Sequence, residues 1–135
     1  MSVHPLVQEF YDRIWNAGDE NVAALLAPDF SFRGSLGTTT FGHAEFLSYV
    51  RSVRRDLANY HCQVLDCVTE FPMAFARMSF SGRHVGVFRT FPPTGKPVHW
   101  HGAALFRFSG SRIQELWVLG DLAALDAQLR SDAGT

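Results

Sequence analysis

Two histidines two residues apart are the first group in this sequence whose spacing suits chemistry. His99 and His101 lie in a strand-like run, so both rings are expected on one side of a strand with Cα atoms about 7 Å apart. Such a pair can chelate a metal, and His84 could supply a third ligand. The next residues, 102–105, include no carboxylate, so we predict no metal site. The rings then serve as hydrogen-bonding or exposed imidazoles, or as polar contacts in a substrate pocket.

An aspartate at the end of an alternating apolar run is the second candidate. Ile113, Trp117 and Leu119 alternate toward Asp121 and predict a stripe on one strand face. Desolvation at the end of such a stripe suits a carboxyl group to general acid/base work at neutral pH. Asp121 also precedes a leucine- and alanine-rich run, so it can instead cap a last helix. A carboxylate that points into a pocket favours an enzyme, and one that only caps the helix favours a binding module.

The chain is rich in large aromatic side chains, with 12 Phe, 3 Trp and 3 Tyr. Trp15, Trp100 and Trp117 would provide walls for a flat aromatic ligand, although buried tryptophans more often belong to a core. Arg77 and Glu115 place charges inside strand-like runs. We interpret both as outward side chains or structural ion pairs.

The length and the net charge limit the classes of protein to which this chain can belong. The 135 residues predict a single domain over 1–135. A net charge of −1 argues against nucleic acid and against anionic membranes as partners. No apolar run is long enough to span a bilayer, and the polar N-terminus is unlike a secretory signal. Cys62 and Cys67 are five apart and are expected on opposite strand faces, so we predict no disulfide and a cytoplasmic location.

Periodicity predicts helices first and strands afterwards. The predicted helices cover 3–17, a short stretch between Asp19 and Pro28, 42–57 and 121–130. The predicted strands cover 30–33, 60–69, 73–89, 98–108 and 112–120, with a loop over 34–40, a turn over 91–97 and a frayed tail to Thr135. This order indicates the α+β class, with helices on one face of an antiparallel sheet.

One stretch of the sequence resembles a known family. The pattern consists of His84-Val85-Gly86-Val87-Phe88, then Pro92-Pro93-Thr94-Gly95-Lys96, then Gly102, Phe106-Arg107, Gly110, Arg112-Ile113, Glu115 and Trp117. It resembles the SnoaL-like polyketide cyclases, over about residues 5–130. The resemblance implies a cone-shaped, curved antiparallel sheet wrapped around N-terminal helices, with an apolar pocket inside. Ketosteroid isomerase and nuclear transport factor share this fold, so the fold alone does not fix the function.

The resemblance also implies a mechanism that needs no cofactor and no metal. Cyclases of this type close a ring of an aromatic polyketide ester by an intramolecular aldol condensation, and a late aspartate serves as acid/base. Asp121 matches that aspartate. We expect His101 to donate a hydrogen bond to the developing oxyanion. The residues expected to hold the substrate are Trp15, His84, Phe88, Trp100, Phe106 and Trp117.

Two departures from the family pattern shape the predicted ligand. Ala104 and Val118 stand where many relatives have an aspartate, which favours a flat, apolar molecule over a sugar or a charged metabolite. The sequence therefore predicts cofactor-independent acid/base chemistry on a small hydrophobic carbonyl compound, by a homodimer formed through the sheet. One alternative is a hydrolase or isomerase of a small lipophilic molecule, with Arg77 and Glu115 assisting Asp121. The other is a non-catalytic ligand-binding module.

Overall fold

The fold of residues 2–130, which the computed structural model describes, combines helices with one six-stranded sheet. The helical elements are α1 (Pro5–Glu9), a π-helical segment (Phe10–Asn16) that follows it directly, α2 (Gly42–Asp56) and α3 (Leu122–Leu129). The strands are β1 (Leu26–Arg33), β2 (Thr39–Phe41), β3 (Leu57–Glu70), β4 (Met73–His84), β5 (Pro97–Ser109) and β6 (Arg112–Gly120). The predicted α+β class is confirmed, and the predicted tail to Thr135 lies outside the described residues.

The sheet is antiparallel except for one pair of strands. Its order is β2-β1-β6-β5-β4-β3, and β3 to β6 form an antiparallel meander. β1 lies beside the last strand of that meander and runs parallel to it. The sheet is therefore mixed, where the sequence analysis predicted an antiparallel one, because first and last long strands are neighbours without a hairpin between them.

The N-terminal helix buries most of its aromatic residues in its second part. After α1 the chain continues as a π-helix from Phe10 to Asn16. Residues four apart share a helix face, and Phe10 and Ile14 as well as Tyr11 and Trp15 are buried. The helix predicted over 3–17 is present, and its π-helical part carries the side chains that reach the interior.

Two local predictions between the first helix and α2 are wrong. The stretch between Asp19 and Pro28 is not a helix, because β1 already begins at Leu26. Proline can lie in this strand because the pairing of β1 with β6 shifts between Leu26 and Ser31, which leaves the missing N–H outside the ladder. The loop predicted over 34–40 contains part of the short strand β2, which pairs with the end of β1.

A bulge on β3 decides where the two cysteines point. The pairing with β4 shifts between Val64 and Asp66, which adds one residue to the strand. Cys62 and Cys67 therefore both lie buried on the inner face, 3% and 4% exposed. The prediction that they face opposite sides is wrong, because it assumed an unbroken alternation. Neither cysteine is part of a disulfide bond within residues 2–130.

Two side-chain amides satisfy backbone groups at strand edges. Asn16 Nδ2 donates to the Cys62 carbonyl at 2.9 Å, and the Cys62 N–H donates to Asn16 Oδ1 at 2.7 Å. Because β3 is the last strand of the sheet, this amide takes the place of a neighbouring strand. Gln128 of α3 binds the backbone N–H and carbonyl of His99 in the same way, at 2.8 and 2.7 Å. The amides thus fix the π-helical segment and α3 against the sheet.

Replacing Asn16 tests this edge contact. We expect Asn16→Ala to lower the free energy of unfolding by about 2–3 kcal/mol, because two hydrogen bonds are lost and both Cys62 backbone groups lose their partner. Gln8→Ala is the matched control, since it removes an exposed side-chain hydrogen bond to Asp12 and is expected to change stability by less than about 0.5 kcal/mol. Urea unfolding measures both, and equal losses in the two variants would contradict the role of Asn16.

Candidate functional site

An inner cavity lies between the sheet and the helices that cover it. Its lining residues are Tyr11, Trp15, Phe32, Ser35, Leu36, Tyr49, Val53, Tyr60, Cys62, Phe80, Trp100 and Val118. All three tyrosines of the chain belong to this set. The space is narrow: about 350 Å³ is free of atoms, but the centre of a water molecule fits in only about 20 Å³ of it. That is room for about one water molecule.

Four elements bring polar-tipped aromatic side chains to this cavity. Tyr11 and Trp15 come from the π-helical segment, Tyr49 from α2, Tyr60 from β3 and Trp100 from β5. Their rings pack against one another, with centroids 5.4 Å apart for Trp15 and Tyr60 and 6.2 Å apart for Tyr60 and Trp100. Such tilted ring pairs hold each other in place. The wall is therefore a set of mutually supported flat faces.

Two hydrogen-bond donors in the cavity wall have no partner among the described residues. The Tyr11 hydroxyl and Trp100 Nε1 are fully buried and make no hydrogen bond. Their residues are only 2% and 1% exposed. The other two phenols of the wall, those of Tyr49 and Tyr60, do not belong to this set of buried donors without a partner. A buried donor without an acceptor costs about 1–3 kcal/mol, so an oxygen atom that accepts from either donor is stabilised here.

Burial keeps the acidic groups of the wall protonated. It raises the pKa of Tyr11 and of Tyr60 well above the usual value, and the neighbouring Cys62 adds to both shifts. Burial also raises the pKa of the Tyr49 phenol, and it raises the pKa of the Cys62 thiol to about 12. Among the lining residues, all within 2–130, there is no carboxylate, imidazole, ammonium or guanidinium. At neutral pH the cavity therefore offers uncharged donors and apolar faces.

The residues predicted to hold a substrate divide into an inner and an outer group. Trp15 and Trp100 line the cavity. Phe88 and Phe106 are buried behind its wall, where Phe88 packs against Trp100 with centroids 6.4 Å apart and Phe106 against Tyr11 at 5.9 Å. Their role in binding stays a prediction, and the structure makes them supports of the wall.

His84 is fully buried but contacts the loop after β4 rather than the cavity. Its Nε2 lies 3.2 Å from the carbonyl oxygen of Phe91, which can only accept, so Nε2 carries the proton. Its Nδ1 then accepts from the backbone N–H of Thr94, and it lies 3.1 Å from the Thr94 hydroxyl. The histidine and the Pro-Pro-Thr-Gly turn of the recognised pattern thus hold each other in place.

His101 and Asp121 lie together on the outer face of the sheet. They line a shallow depression of about 390 Å³ that also includes Phe75 and Leu119. Asp121 is exposed, and its carboxylate accepts a hydrogen bond from the Ala124 N–H at 3.1 Å, which caps α3. The two residues predicted to be catalytic are therefore neighbours, but neither lines the inner cavity.

A bulge on β6 explains why the predicted apolar stripe does not lead into the interior. The pairing of β5 with β6 shifts at Gln114. Ile113, before the shift, is buried, whereas Trp117 and Leu119, after it, are 44% and 51% exposed. Trp117 carries the guanidinium of Arg33 above its ring at 5.4 Å. The inward positions of this half of β6 are even-numbered, which places Val118 in the cavity wall.

The remaining polar candidates also lie on the outer face. His99 and His101 contact each other with ring centroids 4.7 Å apart, and His99 Nε2 lies 2.8 Å from the Ser79 hydroxyl. His84 is on the opposite, inner side. Within residues 2–130 no group of three or more potential metal ligands occurs.

Arg77 and Glu115 point outward in ion pairs. Arg77 binds Asp66 at 2.6 Å, and Glu115 binds Arg107 at 3.3 Å. All four side chains are about half exposed. This arrangement agrees with the interpretation of both residues as structural and places neither beside the inner cavity.

The sequence analysis missed the tyrosines of the cavity wall. None of Tyr11, Tyr49 and Tyr60 was singled out from the sequence, although Tyr11 lies within the predicted helix over 3–17. A signal was present, because Tyr11 puts a hydroxyl on a stripe that is otherwise apolar, and a buried phenol needs a partner. The comparison with known proteins adds the family to this geometry.

A family model described as SnoaL-like polyketide cyclase matches residues 5–129. The chain belongs to the SnoaL-like polyketide cyclase family. None of the curated proteins matches it significantly. Within residues 2–130 of this SnoaL-like chain, no helix is long and apolar enough to cross a membrane.

Solved structures similar to this SnoaL-like domain support the cone fold. A candidate polyketide cyclase from Acidithiobacillus ferrooxidans is 19% identical with a TM-score of 0.84, covering 97% of this chain and 99% of its own. TsrD from Streptomyces laurentii is 25% identical with a TM-score of 0.81, covering 92% and 91%. A SnoaL-like polyketide cyclase from Agrobacterium tumefaciens is 16% identical with a TM-score of 0.79, covering 96% and 99%.

Proposed function

We propose that this SnoaL-like domain binds a small, uncharged, hydrophobic carbonyl compound in the inner cavity and carries out cofactor-independent acid/base chemistry on it. The observation that carries the proposal is the composition of the wall. Flat aromatic faces surround neutral hydroxyls, and the lining residues include no ionised side chain. A charged ligand would lose its hydration there without gaining a counter-ion. Binding in the cavity therefore favours a neutral, ring-bearing molecule.

Asp121 is the acid/base group of this proposal because of where β6 ends. Gly120 abuts the cavity wall: a Cβ at this position would lie 3.3 Å from Trp100 Nε1 and 2.9 Å from Ser35 Cβ. Asp121 is the next residue in the chain, and its carboxylate caps α3 in this structure. A proton transfer requires that the carboxylate leave the cap and turn toward the ligand.

A second candidate function is ligand binding without catalysis. It is favoured by the capping hydrogen bond of Asp121 and by the lining, in which no described residue offers a carboxylate or an imidazole. Both functions need the same ligand in the same cavity. They differ only in whether the bound molecule reacts.

The thiol of Cys62 reports whether a ligand occupies the cavity. Cys62 lines the cavity and Cys67 does not, yet both are buried to the same degree. We expect saturating acetophenone to slow the labelling of Cys62 by methyl methanethiosulfonate at least tenfold and to leave Cys67 unchanged. Peptide mass spectrometry separates the two sites.

The matched ligand control is 4-acetylbenzoate, which adds one carboxylate to the same ketone. We expect it to protect Cys62 at least tenfold less at equal concentration, because the wall offers it no cation. Equal protection of both cysteines, equal protection by both ligands, or no protection by the ketone would contradict the proposed binding site.

A further inference from the structure

We infer that the Tyr11 hydroxyl and the Trp100 indole N–H form a carbonyl-oxygen subsite in the inner cavity. This inference rests on the proposed function and gives it a specific chemical group to recognise. Both donors are buried, both line the cavity, and neither has a protein acceptor among residues 2–130. The indole N–H can only donate, so nothing but an acceptor atom satisfies it.

Both donors belong to residues that line one narrow cavity. The open space admits about one water molecule, and the packed wall covers the two donor atoms in this structure. A carbonyl oxygen has two lone pairs and accepts two hydrogen bonds, so one oxygen that enters between Tyr11 and Trp100 as the wall opens satisfies both donors. The two residues belong to different elements, the π-helical segment and β5.

The neighbouring groups of the wall do not compete for this role. The phenol of Tyr49 lies near Thr38 and Leu36, and the phenol of Tyr60 lies near Cys62, whereas no such polar neighbour accepts from Tyr11 or Trp100 among residues 2–130. Burial raises the pKa of Tyr11, so its hydroxyl keeps its proton and remains a donor at neutral pH.

The same two donors would also stabilise the oxygen of an enolate. When a base removes the proton on the carbon beside the carbonyl, the electron pair of that C–H bond moves onto the carbonyl oxygen. Donors that bind the carbonyl oxygen of the ligand then bind a fuller negative charge in a dry site, where such hydrogen bonds are strongest. The subsite therefore binds the carbonyl oxygen of the ligand and then stabilises the oxygen of the enolate.

The indole N–H resonances test the subsite in the unmodified chain, and a substitution is needed only to assign the signal. The chain has three tryptophans, and Trp100→Phe identifies the Trp100 signal by its loss. We expect acetophenone to shift the Trp100 indole proton downfield, while ethylbenzene, the same molecule without the carbonyl, leaves it in place. The exposed Trp117 on the outer face is the internal control and is expected to stay unchanged.

Affinities of two variants give an independent test. We expect Tyr11→Phe and Trp100→Phe each to weaken acetophenone binding about tenfold, which corresponds to one lost hydrogen bond of about 1.4 kcal/mol, and to leave ethylbenzene binding unchanged. Trp117→Phe should change neither. Calorimetric titration measures all three variants.

The outcomes separate this inference from the proposed function. Protection of Cys62 by acetophenone with an unmoved Trp100 signal and unchanged variant affinities would overturn the subsite and leave the cavity as binding site. If acetophenone neither protects Cys62 nor moves the Trp100 signal, both the subsite and the proposed function are overturned. If a variant fails to fold, the shift of the Trp100 indole N–H resonance in the unmodified chain still decides whether the subsite exists.

Discussion

Asp121→Asn is expected to lower the turnover of a cyclisable β-keto ester by at least ~10², while the melting temperature stays nearly the same. The amide cannot take up and return a proton, but it can still accept the hydrogen bond from the Ala124 N–H, because Asn caps helices about as well as Asp. Turnover and thermal melting of the same preparation measure both effects. The substitution thereby separates the proton-transfer role of Asp121 from its capping role.

Two further variants give the controls for Asp121. Asp121→Ala removes the cap and is expected to cost about 1 kcal/mol of stability. Asp29→Asn alters a carboxylate that binds Gln114 on the protein surface and should leave turnover unchanged. Full turnover by Asp121→Asn would remove the acid/base role and leave the non-catalytic binding module as the function of this fold.

Leu105→Asp is expected to convert a homodimer into monomers. We propose that the dimer forms through the outer face of the sheet, where Phe75, Leu105 and Trp117 are cross-strand partners in one row. Phe75 and Trp117 are 47% and 44% exposed, and Val68 continues the row on β3 with 68% exposed. A two-fold axis would bring the new carboxylate into the interface twice, so we expect the dimer to weaken at least ~100-fold, since unpaired buried charges are costly.

Sedimentation at micromolar concentration measures this change as a fall from twice 15.1 kDa to 15.1 kDa. Val87→Asp is the control, because Val87 is 61% exposed on the loop between β4 and β5 and lies outside the row. It should leave the dimer intact. A wild-type chain that sediments as a monomer would contradict the proposed interface.

The sequence predicted those elements whose pattern is long and regular. The apolar stripe of Phe46, Val50 and Val53 predicted α2, and the alternating residues before Ser109 predicted β5. The prediction of a short helix after Asp19 was wrong because the spacing of Val22, Leu25 and Leu26 fits a turn and a buried strand as well as a helix. A short run of four to eight apolar residues does not distinguish a helix from a buried strand.

The orientation of site residues could not be predicted, because it depends on single extra residues in the strands. The shift at Gln114 turns Trp117 and Leu119 outward, and the shift near Val64 turns Cys67 inward. The alternation of apolar and polar residues does not show where a bulge lies, because a bulge is defined by the pairing with the neighbouring strand. Trp15 and Trp100 line the inner cavity, on the π-helical segment and on a strand that carries no extra residue. Their role in binding stays a prediction.

A crystal structure with an aryl ketone bound tests the central claim most directly. The account predicts the ring among Trp15, Tyr60 and Trp100, with the ketone oxygen about 3 Å from Trp100 Nε1 and from the Tyr11 hydroxyl. It also predicts that the wall moves outward, since the ring needs more room than the one water molecule that the cavity now admits. Ketone density in the outer depression beside His101 and Asp121, with the inner cavity unchanged, would contradict it.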